Sequence, residues 1–301
     1  MSQSLKNVVI IGAGGNLGPS VLDALVSNPK FDVTVLSRAS SKSQFPPNTK
    51  VKTIPDSYPF EDLVSAFENQ DVVVDLVPLH SVPDHIKFID AAIKASVKRF
   101  IAGEYGSKTT EPRVNEAVPL FGAKVEIRDY LKSKESTGLT WTGIINGAFF
   151  DWGLRVGFLG FDFKEHTALI YGSGDAKTDL TLLSTVGKAT ASVLEQAEAT
   201  ANKYVSINSF FVSQNEILAA LEKASGKKWE TSSITIAEAS KVGKEKWDRG
   251  DFSGIVPLIS GLAFSGQEWV HHYGSDNQLL GLSQDEDLET VVAKIYNGET
   301  V

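Results

Sequence analysis

The chain has 301 residues, of which 42% are hydrophobic and 22% charged, a balance that supports a substantial core and excludes wholesale disorder. A formal charge of −8 argues against a polyanion-binding surface, so no nucleic acid partner is expected. With no cysteine there is no disulfide, no thiolate nucleophile and no cysteine-ligated metal.

The chain opens "MSQSLKNVVII", which enters a strand pattern at once, so no signal peptide is expected. "NVVIIGA" reads as a strand and "LGPSVLDALVS" as a helix that tolerates Pro19 in its first turn. Strands follow at "FDVTVLSR" and "VKTIP", then a helix in "SYPFEDLVSAFENQ" with Leu63, Val64 and Phe67 at helical spacing. "DVVVDLVPL" is a near-continuous apolar run of the kind a parallel strand covered on both faces requires. A helix in "VPDHIKFIDAAIKAS", a strand in "VKRFIAGEYG", a helix from about Phe121 to Lys134 and a strand in "LTWTGIING" continue the alternation.

Beyond that point short strand-like segments, "ALIYGSGDAKTDLTLLS" and "KYVSINSFFVS", interleave with helices near "TVGKATASVLEQ" and "SQNEILAALEKASG". The last helix, in "SQDEDLETVVAKIYNG", is expected to open on a capping box of Ser283 and Glu286. The expected fold is α/β: a Rossmann-type doubly wound parallel sheet with a smaller, interwoven C-terminal substrate domain. The expected division is a dinucleotide-binding domain over 1–152, rejoined by parts of 179–208, and a mainly substrate-binding region over 153–301. The longest apolar-leaning run, "GIVPLISGLAFSG", is too short and too glycine-rich to cross a bilayer, so no membrane partner and a cytoplasmic location are expected.

Gly12, Gly15 and Gly18 follow the first strand and open the first helix, with Asn16 and Leu17 between them. A pyrophosphate needs a tight turn, close backbone approach and the free N–H groups of a helix start, and this spacing supplies all three. At the end of the second strand an NAD site usually carries an acid for the ribose 2′-hydroxyl. Here "VLSRASSKS" places Ser37, Arg38, Ser40, Ser41 and Lys42 instead, which suit a 2′-phosphate, so the expected cofactor is NADP(H). A solvated basic loop is the competing reading of that segment.

Tyr130 and Lys134 form a Tyr-x-x-x-Lys pair, the proton-donor motif of short-chain dehydrogenases. They lie at the end of their helix, a few residues before the next strand, and are expected to be a solvated helix end. Lys124 falls on the first turn of the same helix, shortly after the fifth strand, where open α/β sheets place ligands. Leu120 stands four residues before it, so no tyrosine accompanies it.

"GAGGNLG", "KRFIAGEYG" (Lys98 to Gly106) and "FGAKVEIRDYL" (Phe121 to Leu131) resemble the isoflavone reductase, phenylcoumaran benzylic ether reductase and pinoresinol reductase group, atypical short-chain dehydrogenases allied to NmrA-like proteins. The resemblance covers roughly the first 160 residues well and the rest only in outline, through "YGSGDAKTDLTLLSTVGKA". It implies that Glu104, Tyr105 and Gly106 stand for a Glu-Phe-Gly stretch, that Glu104 and Lys124 border the cofactor, and that Lys124 replaces the Tyr–Lys pair as catalytic residue. A lysine there would hold the nicotinamide ribose and donate a proton to substrate oxygen; a plain surface position on an amphipathic helix is its other reading. The chain departs from the group in having Gly103 before Glu104 and Tyr105 for Phe, so Tyr105 offers either a catalytic hydroxyl or a packed aromatic ring.

"VPLHSVPDH" carries His80 and His85, and His80 is a candidate second proton donor or a structural histidine. Phe149, Phe150, Trp152, Phe158, Phe161 and Phe163 offer either flat walls for an aromatic substrate or core packing. In "WVHHY" adjacent histidine side chains diverge, and no metal is expected. Together these features predict an NADPH-dependent reductase of a small aromatic or polyketide-like metabolite, monomeric or homodimeric. A non-catalytic NADP(H)-sensing regulator and a redox-neutral isomerase or dehydratase are the alternatives.

Overall fold

The computed structural model describes residues 5–79, 81–270 and 275–301. In chain order its elements begin with β1 (Asn7–Ile11), α1 (Gly18–Val26), β2 (Asp32–Arg38), β3 (Lys50–Ile54), α2 (Phe60–Phe67), β4 (Val72–Asp75) and α3 (Val82–Lys94). They continue with β5 (Arg99–Gly106), α4 (Pro112–Ala117), α5 (Gly122–Ser133), β6 (Thr140–Ile145), β7 (Ala148–Phe149), α6 (Phe150–Arg155), β8 (Phe161–Asp162) and β9 (Thr167–Tyr171). The remainder are β10 (Thr178–Thr181), α7 (Leu183–Glu195), β11 (Lys203–Ser206), β12 (Phe210–Val212), α8 (Gln214–Ser225), β13 (Glu230–Ile234), α9 (Ile236–Asp248), α10 (Ile255–Ala263) and α11 (Leu288–Tyr296).

The chain divides into two compact units, one of Met1–Tyr105, Ala123–Ile144 and Val186–Val205, the other of Gly106–Gly122, Ile145–Thr185 and Ser206–Val301. A seven-stranded sheet runs in the order β11-β6-β5-β4-β1-β2-β3. β1 pairs in parallel with both β2 and β4, β2 with β3 and β4 with β5, so the carboxyl ends of these five strands share one edge. Strand order reverses beside β1, the switch point where doubly wound sheets bind ligands. Val8 to Ile11 and Val72 to Val74 are fully buried, which is why these strands are unbroken runs of Val and Ile rather than alternating patterns. Phe67, Phe88, Phe100 and Trp141 fill one shared core of this unit.

The second unit holds two three-stranded sheets, β12-β10-β7 and β13-β9-β8. β10 runs antiparallel to β12 and parallel to β7, while β9 is parallel to β13 and antiparallel to β8. Phe150, Phe161, Trp229 and Phe264 anchor its core. Two of its helices, α9 and α10, are not apparent from apolar periodicity. The start of α9 nonetheless stands in the sequence as Thr235 and Glu238, which form a true capping box. The expected capping box of Ser283 and Glu286 is corrected: Asp287 caps α11 instead, accepting from the Thr290 N–H at 2.9 Å, because the helix starts later than the polar run suggests.

Candidate functional site

β1 ends in a turn that only glycine accommodates at its first position. Gly12 has φ +84°, and a Cβ there would lie 2.7 Å from the Leu76 carbonyl carbon. Gly15 N–H donates to Gly12 O at 3.0 Å and Gly18 N–H to Gly15 O at 3.2 Å, winding the chain into α1. A Cβ on Gly18 would collide with the backbone of Ala13, so this glycine lets helix and turn pack closely. α1 carries no side-chain cap and no acidic residue in its first turn, leaving N–H groups and the positive end of the helix dipole open to an anion.

A pocket of about 400 Å³ opens over this turn, walled by Gly12 and Gly15, by Ser37 and Arg38 from the end of β2, and by Val77 and Ser81 beyond β4. The structure therefore brings Gly12, Gly15, Ser37 and Arg38 together. Leu17 and Gly18 are buried beneath the turn, and Asn16 and Lys42 are exposed; none of these four is on the pocket wall. Ser40 is committed elsewhere, since its N–H donates to Asp56 Oδ1 at 3.0 Å and its hydroxyl to Asp56 Oδ2. Those bonds from Ser40, and more weakly the nearby Arg38, hold the Asp56 carboxyl below the ordinary range. Asp56 and Tyr58 also line the pocket, and nothing in the local pattern of "TIPDSYPF" announces it.

Further along the sheet edge, Lys124 is the third residue of α5 and only 6% exposed. Its ammonium donates to the Glu104 carbonyl and, at 3.3 Å, to the Tyr105 carbonyl. Burial lowers the Lys124 pKa from the ordinary lysine value, and the Glu104 charge opposes that shift without cancelling it. Glu104 is itself buried and accepts from the Tyr204 hydroxyl at 2.7 Å. Glu104, Tyr105 and Lys124 thus meet in one place. Tyr204 was not visible from sequence, because it comes from β11, 100 residues away.

The Tyr105 hydroxyl lies 3.4 Å from Thr190 Oγ1, and burial raises its pKa, so it is a neutral phenol at physiological pH. His80 lies outside the described residues, as do His271 and His272. His85 is buried in α3 with Nδ1 2.5 Å from Asp75 Oδ2, a pair with no sequence signature. At the far end of α5, Tyr130 donates to Asp90 Oδ1 at 2.6 Å and Lys134 Nζ sits 4.6 Å from the Tyr130 ring centre, the arrangement of a helix end.

In the second unit the aromatic stretch serves packing and also walls a pocket of about 570 Å³, through Phe161 and Phe163. Phe150 stacks at a tilt on Phe210 and Phe161 meets Trp229 edge-on, both within the core. A separate cavity of about 340 Å³ is walled by Ile236, Pro257, Leu258, Leu262 and Trp269, with Ser240 and Gln267 as polar members. None of the six aromatics from Phe149 to Phe163 borders it. Among the described residues no cluster of His, Asp or Glu has the arrangement of a metal site.

Comparison with known proteins agrees with this architecture. Among curated relatives, an oxidoreductase, aprR, of Aspergillus flavus is 35% identical over 295 residues, 97% of this chain and 99% of the relative. The phenylcoumaran benzylic ether reductase Betv6 of Betula pendula is 29% identical over 75% of this chain and 76% of its own length. A leucoanthocyanidin reductase–NADPH complex from Vitis vinifera shares the fold with a TM-score of 0.78 at 19% identity, covering 97% of this chain and 99% of that one. The structure described as AtPrR2 with NADP+ and (+)pinoresinol does so with a TM-score of 0.77 at 19% identity, over 98% of this chain and all (100%) of that chain. The model of the NmrA-like family matches residues 4–245, and the chain belongs to that family.

Proposed function

We propose that the chain is an NADPH-dependent oxidoreductase that reduces an electron-poor carbon, in an enone, a benzylic ether or a carbonyl, of a small aromatic or polyketide-like metabolite. The observation that carries this reading is Lys124: a buried ammonium at the ligand-binding edge of the sheet, steered by the Glu104 and Tyr105 carbonyls. The glycine turn and the uncapped start of α1 fit a pyrophosphate, and Arg38 on the pocket wall fits a 2′-phosphate. The relatives named oxidoreductases support the reaction class.

When bound, NADPH supplies the hydride. The protein's own part is to orient, to exclude water and to deliver a proton. Gly12 and Gly15 would let the backbone approach the pyrophosphate, Ser37 and Arg38 would hold the adenosine end, and Glu104 and Lys124 would border the nicotinamide end. The Lys124 ammonium, made more acidic by burial, gives its proton to the substrate oxygen as negative charge develops there. Tyr105 would offer a neutral hydroxyl beside it as a second donor. In this reading residues 153–301 are the mainly substrate-binding region.

The test is fluorescence titration with NADPH followed by an oxidation assay against enones, benzylic ethers and carbonyls, using NADPH deuterated at nicotinamide C4. Binding is expected, with turnover on at least one class and deuterium in the product. Tight binding without consumption of NADPH on any class would instead favour a sensor or a redox-neutral enzyme.

A further inference from the structure

Asp75 closes β4 and His85 lies in the first turns of α3, both buried, at 0% and 1% exposure. His85 Nδ1 faces Asp75 Oδ2 at 2.5 Å, and Asp75 Oδ1 accepts from the Val77 N–H at 3.0 Å. The chain that leaves β4 supplies a wall of the dinucleotide pocket through Val77 and Pro78, and the start of α3 adds Ser81 and Asp84. That wall abuts the glycine turn. Leu76 N–H donates to Ile11 O at 2.9 Å, and a Cβ on Gly12 would sit 2.9 Å from Val77 N. A small displacement of Leu76 and Val77 therefore changes the floor beneath a pyrophosphate.

His85 Nε2 is buried and has no hydrogen-bond partner among the described residues. An unpaired Nε2 costs the neutral and the charged ring alike, so the charge of the ring is decided at Nδ1. The charged ring has the Asp75 carboxylate as its partner, and the Pro78 carbonyl favours it further. Burial alone would lower the His85 pKa, but Asp75, Pro78 O and Asp84 together outweigh it and hold the value above the ordinary histidine range. The groups facing the ring are Asp75 from β4 and Asp84 from α3, the latter paired with Lys87 at 2.8 Å. Tyr58 reaches the cluster through Phe88, whose ring centre is 4.9 Å from Tyr58 and 5.9 Å from His85, and Tyr105 at the end of β5 feels the Asp75 charge.

We propose that His85 is a positioning residue for the dinucleotide site: as an imidazolium it clamps Asp75, and with it the Val77–Pro78 wall, against the glycine turn, and its deprotonation loosens the cradle and weakens NADP(H) binding. This inference rests on the dinucleotide reading of the pocket. The sign follows from the raised value: the clamp is intact at low pH and is lost as pH rises through it.

Fluorescence titration of the full chain with NADPH, from about pH 6.5 to about pH 9, keeps the 2′-phosphate fully charged, since its second ionisation lies near pH ~6. The wild-type Kd is expected to rise about tenfold across this range, the effect of a one-unit difference in His85 pKa between free and bound protein. His85→Gln should bind more weakly at the acid end and show a flat profile. Calorimetry of the wild type and of Lys124→Met in two buffers of different ionisation enthalpy should reveal the same proton uptake on binding in both, which excludes Lys124 as its source and decides the matter if the His85 variant does not fold. Parallel pH profiles for wild type and variant, or no proton uptake, overturn the clamp while leaving the cofactor assignment intact. Failure to bind NADPH at any pH overturns both.

Discussion

The two ends of β5 each border a buried cation, and they use it in opposite ways. At the amino end, Arg99 is 3% exposed and bonds to Thr140 Oγ1 at 2.8 Å, Thr142 Oγ1 at 3.0 Å, Thr200 Oγ1 at 3.2 Å and the Ala197 carbonyl at 2.6 Å. At the carboxyl end, Lys124 bonds to backbone carbonyls beside the Glu104 carboxylate. Burial pulls the Arg99 pKa down to about 10, which leaves the guanidinium charged at neutral pH. The same physical cause acting on lysine, whose ordinary value is lower, brings the ammonium closer to losing its proton. Burial of a cation is therefore not by itself a sign of chemistry. Place on the sheet and capacity to release a proton distinguish the two.

Of the two cations, Lys124 is the one whose loss should cost activity. Lys124→Ala should lower the rate of substrate reduction by about a hundred- to ten-thousand-fold, the usual worth of a general acid, with NADPH affinity changed far less. The wild-type rate should fall as pH rises through the lowered lysine value, because the protonated form is the donor. A pH-independent rate, or normal turnover by the variant, removes Lys124 from the mechanism. Arg99→Met should do the reverse. It leaves kcat/KM intact and lowers stability by about 3 kcal/mol in urea unfolding, through the lost packing and the unpaired Ala197 carbonyl. Arg38→Ala comes next. Losing one charge-assisted contact to the 2′-phosphate should raise the NADPH Kd about tenfold or somewhat more and leave NADH unchanged. Equal losses for both dinucleotides would mean that Arg38 holds something other than the 2′-phosphate.

These residues were not equally legible. Gly12, Gly15 and Arg38 are readable because strand, turn and helix follow one another without interruption, so local pattern places them at the sheet edge. Lys124 is readable because its helix begins soon after β5, and the resemblance at "GEYG" and "FGAK" supplies a role. Asp56, Tyr204 and the Asp75–His85 pair are not readable in the same way. Their contacts span strand ends or, for Tyr204 and Glu104, 100 positions of chain, and no periodicity encodes them. α10 is hidden for a different reason: its sequence "IVPLISGLA" is almost uniformly apolar and so shows no helical period.

The smallest expected effect tests whether the carboxylate beside Lys124 is held as firmly as the hydroxyl ring around Arg99. Tyr204→Phe removes the hydroxyl that donates to Glu104 while its ring, 5.3 Å from that of Trp141 and edge-on to it, has no reason to move. Stability should fall by about 1 kcal/mol, the net worth of a typical hydrogen bond, and turnover by a few-fold. The alkaline limb of the pH–rate profile should stay where it is, because the Glu104 charge that opposes the lowering of Lys124 persists without Tyr204. A limb displaced to lower pH by a full unit would mean that Glu104 turns away once Tyr204 lets go. Tyr204 would then be setting the acidity of Lys124 and not merely bracing its neighbour, and the two ends of β5 would differ in rigidity as well as in chemistry.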